Sequence, residues 1–284
     1  MIGHRAGSES RPERGGLVMI VWDALNAGDL AAAIAMQEQT VREQPSDRGS
    51  QVLLAQLHLL AGGYREAWQR IRALSKESSE SRNLRRRLLR LIRADYRRCE
   101  RGISPAFLEP DAPRHAVQRW KAIQALRRGE LAWASRAIDR ADAVAPALVG
   151  HLDGREFDGF RDADDRFASI LELFIEDEYA WIPWEEIRLL RFATPQSFFD
   201  LAYRPGQVWL WDERIIQAIV PLIYPGTTQN LLADAEGGRL ACGLDTDWRP
   251  DQGGLAIGIG ARFLLAGDEE LAMKDCQQIE FRRA

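Results

Sequence analysis

Gly28-Asp29-Leu30-Ala31-Ala32-Ala33, closed by Pro45, is met again as Gly129-Glu130-Leu131-Ala132-Trp133-Ala134, closed by Pro146, and in both copies Gly and Pro stand 17 positions apart. Glycine permits the tight turn between two helices, the alanines let the helices approach, and proline ends the second helix because it has no N–H to donate. A looser copy, Gly63-Tyr64-Arg65-Glu66-Ala67-Trp68, begins 35 residues after Gly28, close to the ~34-residue tetratricopeptide period. The unit between Gly63 and Gly129 is degenerate, centred near Arg97, and shows no turn glycine. Each hairpin exposes an apolar stripe that only a neighbouring hairpin can cover, so a stacked helical array is expected, with an irregular helical bundle as the alternative. The nearly continuous apolar run from Val52 to Leu60 marks an inner helix.

After Pro146 the pattern changes. Ala180-Trp181-Ile182, Gln207-Val208-Trp209-Leu210-Trp211 and Leu255-Ala256-Ile257-Gly258-Ile259 read as strands, separated at Pro195, Pro205, Pro221, Pro225, Gly237-Gly238 and Gly253-Gly254. Asp164 to Glu176 is expected to be helical. The short connections favour antiparallel pairing, so the expected fold is α+β: a polar, disordered tail over 1–16, a tetratricopeptide-like α-helical array over 17–149, and a compact, mainly antiparallel α+β domain over 150–284.

Charge divides the chain at the same place. Residues 1–150 carry 25 Lys+Arg against 17 Asp+Glu, whereas residues 151–284 carry 13 against 25, so the net charge of −4 conceals a basic half and an acidic half. Such halves attract each other or meet oppositely charged partners. The most basic segment, residues 82–101, holds nine arginines; Arg86, Arg90, Arg93, Arg97 and Arg101 share one helical face, opposite Leu84, Leu88, Leu91, Ile92 and Cys99. That face is either solvated, set against the acid-rich start of the second half, or made for an acidic partner, since the guanidinium fork suits carboxylates.

Cys99, Cys242 and Cys276 are too scattered for a disulfide framework or a structural zinc site, and a reducing cytoplasm is expected. The first sixteen residues lack the apolar core of a secretory signal, and no run of about eighteen apolar residues is present to span a membrane. Counting an EF-hand from Asp162 puts Phe167 and Leu173 where Gly and Glu are required, so Asp162, Asp164 and Asp165 are expected to cap a helix or pair with Arg166 rather than hold calcium. The glycines of Gly253 to Gly260 match neither phosphate-binding pattern and read as a turn feeding a strand. His4, His58, His115 and His151 share no paired spacing, and pairs such as Glu185-Glu186 or Asp245 and Asp247 are what a chain with 42 acids offers by chance. No catalytic residue, metal ligand or cofactor is assigned, and no enzyme is expected.

Asp153-Gly154, Phe157, Asp162-Ala163-Asp164-Asp165-Arg166-Phe167, Ile170-Leu171-Glu172 and Tyr179-x-Trp181-Ile182-Pro183-Trp184-Glu185-x-Ile187 open a pattern that continues to the end of the chain. It runs on through Tyr203-Arg204-Pro205, Tyr224-Pro225-Gly226, Thr246-Asp247-Trp248, Gly258-x-Gly260-x-Arg262 and Ile279-x-Phe281. In order and spacing this resembles the ImpE/TagJ (SciE-type) accessory proteins of bacterial type VI secretion, over nearly all of residues 150–284. One departure is Ile223, where the family pattern tends to carry Arg.

The resemblance implies a cytoplasmic, non-enzymatic adaptor that binds the N-terminal helix of the small contractile-sheath subunit and assists sheath handling or recycling, with the sheath-disassembly AAA+ ATPase as an indirect partner. Aromatic residues commonly anchor protein interfaces, so Tyr179, Trp181, Trp184, Tyr203, Arg204, Tyr224 and Trp248 are the candidate partner-binding residues, beside the basic face of Arg86, Arg90, Arg93 and Arg97. Core packing is the competing role for each aromatic. A regulatory or nucleic-acid-binding protein using helix 82–101 is the alternative function.

Overall fold

The computed structural model describes residues 14–109, 111–176, 178–227, 235–249 and 252–283. The tail expected over 1–16 lies outside them as far as residue 13. Helices come first: α1 (Arg14–Ala27), α2 (Leu30–Glu43), α3 (Arg48–Leu60), α4 (Tyr64–Ala73), α5 (Ser79–Tyr96), α6 (Arg114–Arg127) and α7 (Leu131–Asp142), with a short strand β1 (Ala106–Phe107) between α5 and α6. The strands follow as β2 (Val149–Leu152), β3 (Arg155–Asp158), β4 (Phe160–Asp162), β5 (Ile170–Ile175), β6 (Glu178–Pro183), β7 (Ile187–Phe192), β8 (Tyr203–Leu210) and β9 (Ile215–Pro221). Then come α8 (Ala235–Ala241), β10 (Thr246–Trp248), β11 (Gly258–Gly260), β12 (Phe263–Ala266), β13 (Glu269–Ala272) and β14 (Gln278–Arg282). The chain is α+β, as expected.

The first repeat begins where Asp29 caps α2, its carboxylate accepting from Ala32 N at 2.8 Å. Ala33, Ala67 and Ala134 are buried at successive helix contacts, which is why small residues recur there. The degenerate unit has a physical reason: instead of turning at a glycine, α5 runs on through a π-helical turn over Arg97–Arg101 and stops only at Gly102, whose φ is +54°.

Nine strands form one sheet in the order β1-β6-β5-β9-β8-β7-β14-β2-β3, antiparallel except for β1 on β6, beside a three-stranded sheet β13-β12-β4 and the pair β10-β11. Side chains of β5 alternate across the large sheet. Ile170, Glu172 and Phe174 face the helices, while Leu171 and Leu173 enter a second core with Ile182, Trp184 and Leu190. The first core is shared, since Leu57, Leu60, Leu91 and Ile92 of the helices pack with Phe174, Trp181, Phe199 and Tyr203 of the sheet side.

Four local expectations are corrected. Asp164–Glu176 is a turn followed by β5 rather than a helix: a six-residue run buried on both faces carries no periodicity, and pairing on both edges decides for strand. Pro205 lies within β8, and β11 covers only Gly258–Gly260 of the stretch read as a strand from Leu255. Gly237-Gly238 is helical, inside α8; a β-carbon on Gly238 would stand 2.2 Å from the Gly28 carbonyl oxygen, so the glycine lets α8 touch the α1–α2 turn.

Candidate functional site

Where α5 meets the sheet, charged side chains converge inside the protein. Along α5 and the π-helical turn that continues it, Leu88, Leu91, Asp95 and Arg98 follow one another at helical spacing on the buried stripe, so the last two carry their charges inward. Arg98 donates to both oxygens of Glu172, Nε to Oε1 at 3.1 Å and Nη2 to Oε2 at 2.9 Å, to Asp95 Oδ1 at 3.2 Å and to the Ile223 carbonyl at 2.8 Å. Asp95 Oδ2 accepts from Tyr64 at 3.0 Å and Tyr203 at 2.8 Å. Glu172 also accepts from Tyr179, whose oxygen accepts from Trp181 Nε1 at 2.6 Å, and it touches Arg262. Arg262 extends the chain of charge to Asp162 at 2.9 Å, where Tyr224 donates at 2.8 Å, and Asp164 holds Arg166 through its Nη2 at 2.6 Å.

Burial raises Asp162 above the usual carboxylate range although Arg262 opposes the shift, and it raises the Tyr179 and Tyr203 hydroxyls, with Asp95 adding to the rise at Tyr203. Cys99, beside this cluster, is pushed up to about 11 by burial and by Asp95, which leaves it a thiol at neutral pH. The gap lined by Tyr64, Asp95, Arg98, Tyr203 and Tyr224 measures only ≈ 30 Å³, the space of a water molecule or two. Next to it a larger cleft of ≈ 320 Å³ lies between the helices and the sheet, lined by Arg98, Trp120, Arg127, Arg166, Tyr179 and Arg249 among others.

Six of the seven candidate partner residues are therefore interior. Tyr179, Trp181, Trp184, Tyr203 and Tyr224 are buried, and Arg204 is a clip that donates to the carbonyls of Ala193, Lys274 and Cys276 while lying over the Phe192 ring. They offer no surface, because large rings are needed where a sheet closes on helices; Trp181 alone packs edge-on against Phe107, Trp120 and Phe167. Trp248, 40% exposed on β10, is the one that a partner can reach. The acids do not cap a helix: Asp162 and Asp164 join the buried network, and Asp165 accepts from Arg161 at 2.5 Å and from Ala256 N at 2.7 Å.

Of the basic face, Arg86 and Arg93 are exposed, Arg90 lies 3.6 Å from Glu176, and Arg97 falls in the π-helical turn. Arg86, Arg90 and Arg93 line a groove of ≈ 360 Å³ with Trp68, Lys76, Arg82, Arg85 and Leu89.

A second cluster was hidden in the sequence. His115 of α6 contacts Ser169 Oγ through Nδ1 at 2.8 Å and Glu185 Oε1 through Nε2 at 2.6 Å, while Arg119, one turn on, donates from Nε to the same Ser169 oxygen at 2.7 Å. Serine, histidine and acid in line resemble hydrolytic machinery, yet His115 and Ser169 are buried and the serine oxygen already accepts from Arg119. The arrangement bolts α6 to the sheet. No signal in the sequence joins these residues, which come from segments far apart. Asp95, Arg98 and Glu172 did carry one: each is a charge inside an apolar stripe or run.

Residues 154–280 match the family model described as ImpE protein. The type VI secretion system accessory component TagJ of Pseudomonas aeruginosa is 26% identical over 272 residues, covering 94% of this chain and 93% of that protein. The crystal structure of protein VPA1032 from Vibrio parahaemolyticus shares the fold, with a TM-score of 0.83 at 18% identity, over 93% of this chain and 98% of that one. The motifs from Asp162 to Ile187, built into the buried network and the sheet, lie within the stretch that is similar to the ImpE family.

Proposed function

We propose that the chain is a type VI secretion accessory protein that works as a cytoplasmic, non-enzymatic adaptor. It holds the N-terminal helix of the small contractile-sheath subunit and assists the handling or recycling of sheath, with the disassembly ATPase as an indirect partner. The observation that carries this reading is the extent of the likeness to TagJ: helical half and sheet half are both matched, so the architecture as a whole is shared rather than one module. The buried network supports it, because its carboxylates and guanidiniums are spent on one another and on joining the halves into a single platform. Among the described residues, no helix is long and apolar enough to cross a membrane.

Calorimetric titration of the full chain with a peptide copying the sheath subunit's first helix tests the reading. Saturable heat with a change in tryptophan fluorescence is expected, and silence in both signals removes the sheath subunit as partner.

A further inference from the structure

We propose that the groove between α4 and α5 is the seat of a partner's acidic amphipathic helix. This deepens the adaptor reading by giving it a surface, and it rests on that reading only for the idea that a protein is held.

The groove is built by two consecutive helices whose outer faces are left uncovered. Trp68 of α4 and Leu89 of α5 supply apolar lining, and Lys76, Arg82, Arg85, Arg86, Arg90 and Arg93 surround them. A second depression of ≈ 430 Å³ continues it past Trp68 and Arg93 to Tyr64, Ile92 and Tyr96, with Arg65 and Arg72 at its edge. No acid lines either depression. Arg82 donates to the carbonyls of Lys76 and Glu77, and Arg85 to that of Arg72, so their charges stay uncancelled. Among the described residues, Lys76, Arg82, Arg85 and Arg86 form no ion pair with a carboxylate.

Charge and apolar lining together select the occupant. The cations call for a negative ligand, and a trough about as long as the ten residues of α4, roughly 15 Å at 1.5 Å per residue, fits about three turns of helix lying along it. Leu or Phe side chains spaced at i, i+3 and i+4 would cover Trp68 and Leu89 while Asp or Glu flanks met the arginine forks. Phosphate backbones would use the cations but leave the solvent-facing parts of Trp68 and Leu89, whose inner parts pack on the core, uncovered. Base stacking finds little platform, because the rings of Tyr64 and Tyr96 already meet edge-on at 5.5 Å and the Tyr64 hydroxyl is committed to Asp95.

The test uses the full chain and four fluorescein-labelled probes: an amphipathic peptide with Leu on one face and Glu on the other, the same peptide with Lys for Glu, single-stranded DNA, and the sheath-helix peptide. The Glu peptide should bind at least about tenfold tighter than the Lys peptide and the DNA. The double variant Arg86→Glu/Arg90→Glu, the single variant Arg86→Glu, and separately Trp68→Ala, should each weaken it, the double by about tenfold or more, whereas Arg87→Glu, the same charge change as Arg86→Glu but outside the groove, should leave it nearly unchanged. Equal binding of the two peptides, DNA binding as tight as the Glu peptide, or equal loss in Arg87→Glu overturns the proposal. If the Glu peptide binds as described while the sheath helix does not, the groove stands and the sheath reading falls; the reverse result removes the groove and keeps the adaptor.

Discussion

Arg98 and Glu172 meet through two parallel hydrogen bonds of 3.1 and 2.9 Å, and this fork joins the last turns of α5 to the middle of β5 with both side chains out of reach of solvent. Removing one member of such a pair leaves the other charged and unsolvated, whereas removing both spares much of that loss.

Glu172→Ala is therefore expected to lower unfolding free energy by about 3–5 kcal/mol, and Arg98→Ala by a comparable amount. In a double-mutant cycle followed by urea denaturation, the double variant should lose less than the two single losses added. Strict additivity would show that the fork contributes nothing as a unit.

Tyr64 and Tyr203 both donate to Asp95 Oδ2, one from α4 and one from β8. Tyr203→Phe should cost about 1.5–3 kcal/mol, since the carboxylate loses a buried donor, and Tyr64→Phe somewhat less because its ring is only partly buried. Denaturant midpoints with unchanged slopes would check both.

Glu186 is pushed up to about 7, by burial first and then by Glu185 and Glu109. Its folded form binds the proton more tightly than the unfolded chain does, so its contribution is complete below the ordinary glutamate range and is lost as pH climbs through about 7. Stability should fall between about pH 4.5 and 7 from this group, and Glu186→Gln should flatten that slope. An identical pH profile for the variant would contradict the assignment.

Ser169→Ala tests the buried Ser-His-Glu line. The expected result is a lower melting temperature, because Arg119 and His115 lose a shared partner, with no change in the hydrolysis of a nitrophenyl ester. An esterase activity abolished by the substitution would make Ser169 a nucleophile.

Gly258 approaches the Tyr224 ring so closely that an added β-carbon would lie 2.3 Å from it. Gly258→Ala should destabilise by about 1–3 kcal/mol, read by thermal melting; an unchanged melting temperature would show that the ring gives way without cost.

The helical array and the antiparallel sheet were legible because their signals are local: Gly28 and Pro45 bracket one hairpin, and the runs after Pro146 are short and rich in β-branched and aromatic residues. Asp164–Glu176 was misread because a strand buried on both faces has no periodicity to distinguish it from a helix. The aromatic candidates other than Trp248 lie in the interior for a related reason, since Trp and Tyr serve both cores and interfaces. The groove was half legible: the arginine face shows in α5, but its other wall, Trp68 on α4, becomes its neighbour only when the hairpin closes.

Ala106 and Phe107 of β1 lie beside Ala180 and Trp181 of β6, so a strand from among the helices closes one margin of the large sheet. A fragment beginning near residue 150 would lack it, leaving the outer edge of β6 open at Ala180 and Trp181 and Trp181 stripped of Phe107 and Trp120. Such a truncation is prone to stick to itself through that bare margin. Poor behaviour of the isolated second half would then reflect a severed sheet, and would carry no information about what the intact molecule holds.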